Sequence, residues 1–403
     1  MRILQLCNKP PYPPLEGGSI AMNNITQGLI AEGHTVKVLA ISSFKNEVDL
    51  NDFPEDYLKN SKFETVFVDL RIKPIAAFLN LFTNKSYHVQ RFISKDFEDK
   101  LKHLLAEETF DIIQLETLFM SPYIKVIRQF SDSKIVLRSH NIEHLIWKRV
   151  ANFERNNIKR WYINLLAKKL SHYEKEKINQ YDGIASISKK DIEFYLDEGC
   201  KKPIEDITFG IDVDKFNDEI ITDTTKVTLF HIGAMNWIPN QVGIKWFLDE
   251  VWVDVHEKYK DLELHLAGRK MPDWLVKASY PNVIIEGEVE DSKAFVNSNT
   301  IMIVPLFSGS GLRIKIIEAM ALGKTVISTS IGAEGISYTN NKNIIIANTK
   351  EDYIKAISNC INNPELCKSI GMNAKKLIIE EHNNSIIIKK LVSFYEKLLS
   401  NNS

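Results

Sequence analysis

The stretch Leu306–Leu322 sets the terms for the rest of the chain. Thr300–Val304, just before it, is short, apolar and rich in β-branched residues, and Pro305 stops it, so it reads as a buried parallel strand. Beyond it, Ile316, Ile317 and Met320 recur at helical spacing, with Gly323 where a C-terminal cap belongs. Between them lies Gly309-Ser310-Gly311, a glycine loop that opens directly on the helix. Such a junction aims free backbone N–H groups, and the positive end of the helix dipole, into one small volume.

Two cations, Arg313 and Lys315, stand in the first turn of that helix, where the dipole disfavours positive charge by about 0.3–1 kcal/mol each. A bound anion with more than one charge would reverse that penalty. A diphosphate meets the requirement, and Glu318 on the second turn is placed to accept from a sugar hydroxyl. A plain glycine loop with solvated charges accounts for the same residues, so the motif needs agreement from elsewhere in the chain.

With 403 residues the chain is too long for one ordinary core, and two or three domains are expected. A formal net charge of -1 gives no global attraction to nucleic acid. Cys7, Cys200, Cys360 and Cys367 lack zinc-ligand spacing and are expected as reduced thiols in a cytoplasmic protein, with no bound metal. The N-terminus runs from a strand-like Arg2–Cys7 into a proline-rich loop without the apolar core of a signal peptide. No apolar run approaches the roughly 18 residues that a membrane span requires.

Strand and helix alternate along the whole chain. Arg2–Cys7, a loop ending in Gly17-Gly18, a helix from Ile20 to about Glu32 and the strand His34–Ile41 make a βαβ opening. Gly17 and Gly18 put small residues at a strand-to-helix junction, which serves equally as a plain turn or as a ligand site. Phe63–Val68, Asp111–Leu115, Lys134–Arg138 and Gly183–Ser188 read as further strands. The third of these runs into Ser139-His140-Asn141, where His140 is either structural or a hydrogen-bond donor and proton relay. Residues 144–177 read as one long helix carrying nine Lys/Arg against three Glu, either core-facing with a basic back or lying on an anionic membrane. An acidic stretch, Glu205–Asp223, marks the boundary between a domain of residues 1–210 and one of residues 211–384. The second domain has strands at Val227–Ile232, Leu262–Ala267, Asn282–Ile285, Thr300–Val304 and Thr325–Thr329, and a helix from about Gln241 to Val255. The amphipathic C-terminal helix, within residues 385–403, must pack on one of the two. Both sheets should be parallel with helices on both faces.

In order along nearly the whole chain stand Gly17-Gly18, Gly33-His34-Thr35-Val36, Ser139-His140-Asn141, Gly210-Ile211-Asp212, Leu266-Ala267-Gly268-Arg269, Gly287-Glu288-Val289 and Glu318-Ala319-Met320-Ala321 with Gly323. Together they resemble glycosyltransferase family 4, whose fold, GT-B, is α/β with two Rossmann-like doubly wound parallel-sheet domains facing across a cleft. The resemblance implies retaining, metal-independent transfer of a sugar from a nucleotide-diphosphate sugar to a glycan or lipid-linked hydroxyl, without a cofactor, in surface-polysaccharide assembly. It implies that the second domain binds the donor and that the C-terminal helix returns to the first. Glu318 matches the second glutamate of the family's Glu-x7-Glu motif and would hold the ribose. The backbone of Gly309, Ser310, Gly311 and Leu312 would meet the diphosphate or the sugar, and Glu288 and Val289 the base. Gly233, Met235 and Asn236 belong to a loop that resembles one subgroup of sugar transferases. Gly17, Gly18 and His140 would face the substrates from the first domain.

Two departures stand out. The motif's first glutamate falls on Ser310, and the family's Arg and Lys after the first strand of the second domain fall on Ala234 and Pro239. The missing cations are therefore assigned to Arg313 and Lys315, with Arg269 as a third. A sugar-nucleotide 2-epimerase and a non-catalytic nucleotide-sugar sensor share the two-domain plan and remain alternatives.

Overall fold

The central apolar runs become strands buried on both faces, and the outer ones are only partly covered. The computed structural model describes residues 1–216, 227–309 and 312–400, and the chain divides into two units, Met1–Gly210 with Asn384–Ser403, and Ile211–Asn383. The first unit contains β1 (Arg2–Cys7), β2 (Thr35–Ser42), β3 (Glu64–Phe67), β4 (Ile112–Glu116), β5 (Lys134–Ser139), β6 (Gly183–Ser186) and β7 (Ile204–Asp206). They form one parallel sheet in the order β3-β2-β1-β4-β5-β6-β7. The second unit contains β8 (Thr228–Ile232), β9 (Glu263–Ala267), β10 (Val283–Gly287), β11 (Ile301–Val304), β12 (Thr325–Ser328) and β13 (Ile345–Ile346). These form a second parallel sheet, β10-β9-β8-β11-β12-β13. In each sheet the order reverses beside the first strand, at β1/β4 and at β8/β11. The loops leaving those strands diverge there, the place where open α/β sheets hold their ligands.

Side chains along β1 alternate between two cores, as a pleated strand requires. Leu4 and Leu6 join Phe97, Leu101, Leu115 and Ile127, whereas Ile3 and Cys7 join Met22, Ile25 and Leu29 of the helix Gly17–Ala31. The second core is completed by the C-terminal helix Asn384–Ser400, through Ile387, Ile388, Leu391, Phe394, Tyr395 and Leu398. Gly28 and Gly183 make room for it: a Cβ on Gly28 would lie 2.4 Å from Ile388, and one on Gly183 2.7 Å from Leu398.

Residues 144–177 are not one helix. A first helix, Glu143–Phe153, ends before Glu154-Arg155-Asn156, and a second runs over Asn157–Lys177, with Asn156 Oδ1 capping the amides of Ile158 and Lys159 at 3.0 Å. The second helix buries Ile163, Leu166, Ala167 and Leu170, so most of its length is core-facing with a basic back. The helix expected from Gln241 begins earlier, at Ile238 with Pro239 in its first turn, and passes through a wider turn at Phe247–Trp252. The strands β7 and β13, of three and two residues, lack the length that periodicity needs to be visible.

Truncating the C-terminal helix where it fills the first unit should be costly. Leu391→Ala is expected to destabilise that unit by about 2–5 kcal/mol, measured as a shift in the urea midpoint. Lys390→Ala, which breaks only the exposed 3.3 Å pair with Glu205, should change it by less than about 1 kcal/mol.

Candidate active site

At the tips of β1, β4 and β5 in the first unit, polar side chains are buried together. Glu116, the last residue of β4, is fully buried and accepts from Gln5 Nε2 at 2.7 Å and from Gln114 Nε2. Its other oxygen lies 2.6 Å from His140 Nε2, in the loop after β5. Burial alone would raise the Glu116 carboxyl, but the hydrogen bond and charge of His140, with Arg138 behind, hold it below its usual range. The carboxylate therefore stays ionised and orients the imidazole, with the histidine proton directed at Nε2. Arg138 is itself buried and donates to the carbonyls of Ile207 (2.5 Å) and Thr208 (3.2 Å), while Tyr395 of the C-terminal helix donates to Gln114 Oε1. Thr117 follows Glu116 with φ 77°, a conformation that a β-branched residue adopts only under constraint.

Sequence reading identified His140 but missed Glu116, because a glutamate at the end of an apolar run gives no signal of its partner 24 residues away. Glu143, three residues after His140, escaped notice too. It is buried at the start of its helix, and its N–H and that of His144 donate to Glu174 at 3.1 and 3.4 Å. His144 Nδ1 lies 2.6 Å from the same carboxylate. Burial, and then the Glu174 charge, push the Glu143 carboxyl up to about 8, so it is a neutral acid at pH 7. Gly17 and Gly18 begin the helix Gly17–Ala31, and a Cβ on Gly18 would lie 3.1 Å from Lys9 Cε. Lys9 pairs with Glu16 at 2.9 Å, which sets a cation beside that helix start.

In the second unit, backbone bonds join the loops leaving β8, β9 and β10. Gly233 N–H donates to Ala267 O (3.1 Å), Met235 N–H to Arg269 O (2.9 Å) and Gly268 N–H to Gly287 O (2.7 Å). At Gly268, φ is 153° and a Cβ would fall 1.8 Å from Gly233 O, so only glycine fits. The Met235 side chain is buried in the core, its N–H goes to Arg269 and its carbonyl accepts from Gln241 at 2.6 Å, so it shapes the loop from within. Asn236 and Glu288 are exposed, and Val289 and Arg269 half-buried.

The loop after β11 leads to the helix Ile314–Ala321, with Arg313 at its N-cap and Gly323 closing it at φ 70°. The Arg313 guanidinium lies over the Trp237 ring, 5.1 Å from its centroid. Gly309, at φ 113°, fits beneath them, because a Cβ there would lie 2.8 Å from both Arg313 Nη2 and the Trp237 ring. Lys315 Nζ lies 2.8 Å from Glu318 Oε2 and donates to Ser292 Oγ at 3.3 Å. Leu312 packs against Gly335. Arg313, Lys315, Glu318 and Gly309 thus gather at one helix start, and Trp237 joins them from the loop after β8, a neighbour the sequence did not announce. Ser310 and Gly311 lie outside the described residues.

The family described as glycosyl transferases group 1 matches residues 226–363. A 44.6 kDa protein of the cps region of Klebsiella pneumoniae is 24% identical over 97% of this chain and 98% of its own. A capsular polysaccharide biosynthesis glycosyltransferase of Staphylococcus aureus, CapM, is 28% identical over 42% of this chain and 47% of its own. Among solved structures, HepE of Anabaena in complex with UDP superposes with a TM-score of 0.66 at 12% identity, covering 98% of this chain and 100% of that one.

Because the Glu143 value is raised, its contribution to stability is complete below the ordinary carboxylate value and is lost as pH rises towards 8. Across that window the first unit should lose on the order of 4 kcal/mol. Glu143→Gln should flatten the profile, as read by urea unfolding at about pH 5 and about pH 9; parallel profiles would contradict the assignment.

Proposed function

We propose that the chain is a group 1 glycosyl transferase of the GT-B fold, with a nucleotide-diphosphate sugar as its donor and a hydroxyl of a glycan or lipid-linked glycan as its acceptor. The observation that carries this reading is the convergence of Arg313, Lys315, Glu318 and Gly309 at the start of helix Ile314–Ala321. Cations there oppose the helix dipole until a multiply charged anion binds. The UDP held by HepE supports a nucleoside diphosphate as that anion, and the biosynthetic role of CapM supports polysaccharide assembly. Free thiols at Cys7, Cys200, Cys360 and Cys367 favour a reducing, cytoplasmic compartment.

Transfer breaks the bond from the sugar's anomeric carbon to the terminal phosphate oxygen and forms one to the acceptor oxygen. In a retaining, metal-independent reaction both events take place on one face of the sugar. The acceptor proton then passes to the departing phosphate. Charge grows on that phosphate as the bond lengthens, and Arg313 and Lys315 are prepositioned to stabilise it, each contributing up to about 3–4 kcal/mol to the barrier. When the diphosphate draws Lys315 away, Glu318 is released to accept from the ribose. His140, whose Nε2 proton goes to Glu116, would accept through Nδ1 a hydrogen bond from a sugar hydroxyl.

Two substitutions separate these roles. Lys315→Ala should cut kcat about 100-fold while costing under about 1 kcal/mol of stability, since its pair with Glu318 is partly exposed. Glu116→Gln should also lower kcat about 100-fold, because a glutamine amide would donate to His140 Nε2 and move the imidazole proton to Nδ1. Near-normal turnover in either variant removes that role. Incubation of enzyme and sugar nucleotide without acceptor tests the alternatives, for an epimerase would convert the donor and a sensor would bind it without transfer.

A further inference from the structure

Outside the site, one segment of the first unit combines firm anchoring with exposed apolar side chains. Over residues 72–82, Ile72, Ile75, Phe78, Leu79 and Phe82 are each between 58% and 78% exposed. The short helix Pro74–Asn80 that carries most of them is pinned at both ends. At its start, Lys73 N–H donates to Tyr87 Oη at 2.9 Å, and that hydroxyl donates back to Lys73 O at 3.3 Å. At its end Asn80 is buried and donates to Lys85 O (2.9 Å) and Gln90 Oε1 (2.8 Å). The buried ammonium of Lys169, from helix Asn157–Lys177, donates to the carbonyls of Asn80 (2.5 Å) and Leu81 (3.4 Å). A segment held this firmly does not expose five large apolar groups through fraying.

We propose that residues 72–82, with the exposed start of helix Asn157–Lys177, form a finger that docks on an anionic lipid surface. The charge pattern selects that partner. From Leu70 to Ser94 there is no Asp or Glu, while Arg71, Lys73, Lys85 and Arg91 are present. Arg71 and Lys73 stand at the start of the apolar row, and Asp69 pairs with both, at 2.9 and 4.0 Å. A second row of the same kind lies at residues 155–161, all exposed, where Arg155, Lys159 and Arg160 accompany Ile158 and Trp161. Lys159 there pairs with Glu154 at 2.7 Å. Ile158 precedes Lys169 by three helical turns and shares its face, so this row adjoins the helix side that grips the finger.

Apolar side chains at the tip with cations on the shoulders match the depth profile of a bilayer interface, where hydrocarbon lies below anionic headgroups. Among the described residues no helix is long and apolar enough to cross a membrane, so the finger would lie in the interface. This moves the membrane contact from the whole of residues 144–177, whose second helix is mostly core-facing, to the finger and that helix's exposed start. It is independent of the donor assignment. It would bring the enzyme to a lipid-linked acceptor.

The test is flotation of the full chain with vesicles of phosphatidylcholine alone, or of phosphatidylcholine mixed with phosphatidylglycerol. The wild type should float with the anionic vesicles, stay behind with the neutral ones, and be released by high salt. The triple variant Ile75→Ser, Phe78→Ser, Phe82→Ser should lose at least tenfold in vesicle binding. Its melting temperature and its transfer to a water-soluble acceptor should be unchanged. Failure of the wild type to float, or equal flotation of the triple variant, overturns the proposal. So does a concentration-dependent dimer that the same substitutions disrupt, since the occupant would then be a second copy of the chain. Loss of donor binding by Lys315→Ala without change in flotation would leave the two assignments separately judged.

Discussion

Two positive charges stand at the start of helix Ile314–Ala321, against the helix's own dipole. The second unit accommodates them with local partners, the Trp237 ring for Arg313 and the Glu318 carboxylate for Lys315. Neither partner competes strongly with a diphosphate. A partly exposed pair three residues apart is worth a few tenths of a kcal/mol, whereas a charge-assisted hydrogen bond to phosphate is about twice as strong as a neutral one. Diphosphate binding as proposed would therefore exchange partners at little cost. Gly309 serves the same arrangement by leaving room for Arg313 over Trp237, and Gly268, after β9, separately lets two loops approach to backbone distance.

The first unit solves a different problem, that of keeping a carboxylate ionised in the interior. Glu116 achieves this with two amide donors and a histidine, and Gln5 is held in turn by Thr26 at 2.6 Å. Tyr395 reaches into this network from the far end of the chain, so the C-terminal helix helps to hold the pair as well as the core. A half-satisfied network of this kind would cost more than an apolar core. Glu143 takes the opposite course: next to Glu174 and out of water, it gives up its charge. Two buried glutamates on either side of His140 thus end in opposite protonation states, set by their neighbours.

The fold was largely legible because parallel strands buried on both faces leave continuous apolar runs, and β1, β8 and β11 are such runs. Boundaries were less so. The break at residues 154–156 lies in a basic segment where helical periodicity persists on both sides, and only the Asn156 cap marks it. Among the candidate residues, Gly309, Arg313, Lys315, Glu318 and His140 carry a local signature that the sequence displays, and the first four lie together at one helix start. Those whose importance lies in a distant partner were missed, namely Glu116, Glu143 and Trp237. Met235 lies inside a recognisable loop, yet its side chain points into the core, which its sequence context does not show.

The most direct measurement is a crystal structure of the protein with a nucleoside diphosphate sugar bound. The account predicts that the diphosphate lies within hydrogen-bond distance of the Arg313 guanidinium or the Lys315 ammonium, with Glu318 turned from Lys315 to a ribose hydroxyl. A diphosphate bound away from the start of helix Ile314–Ala321, with the pair of Lys315 and Glu318 intact, would contradict it.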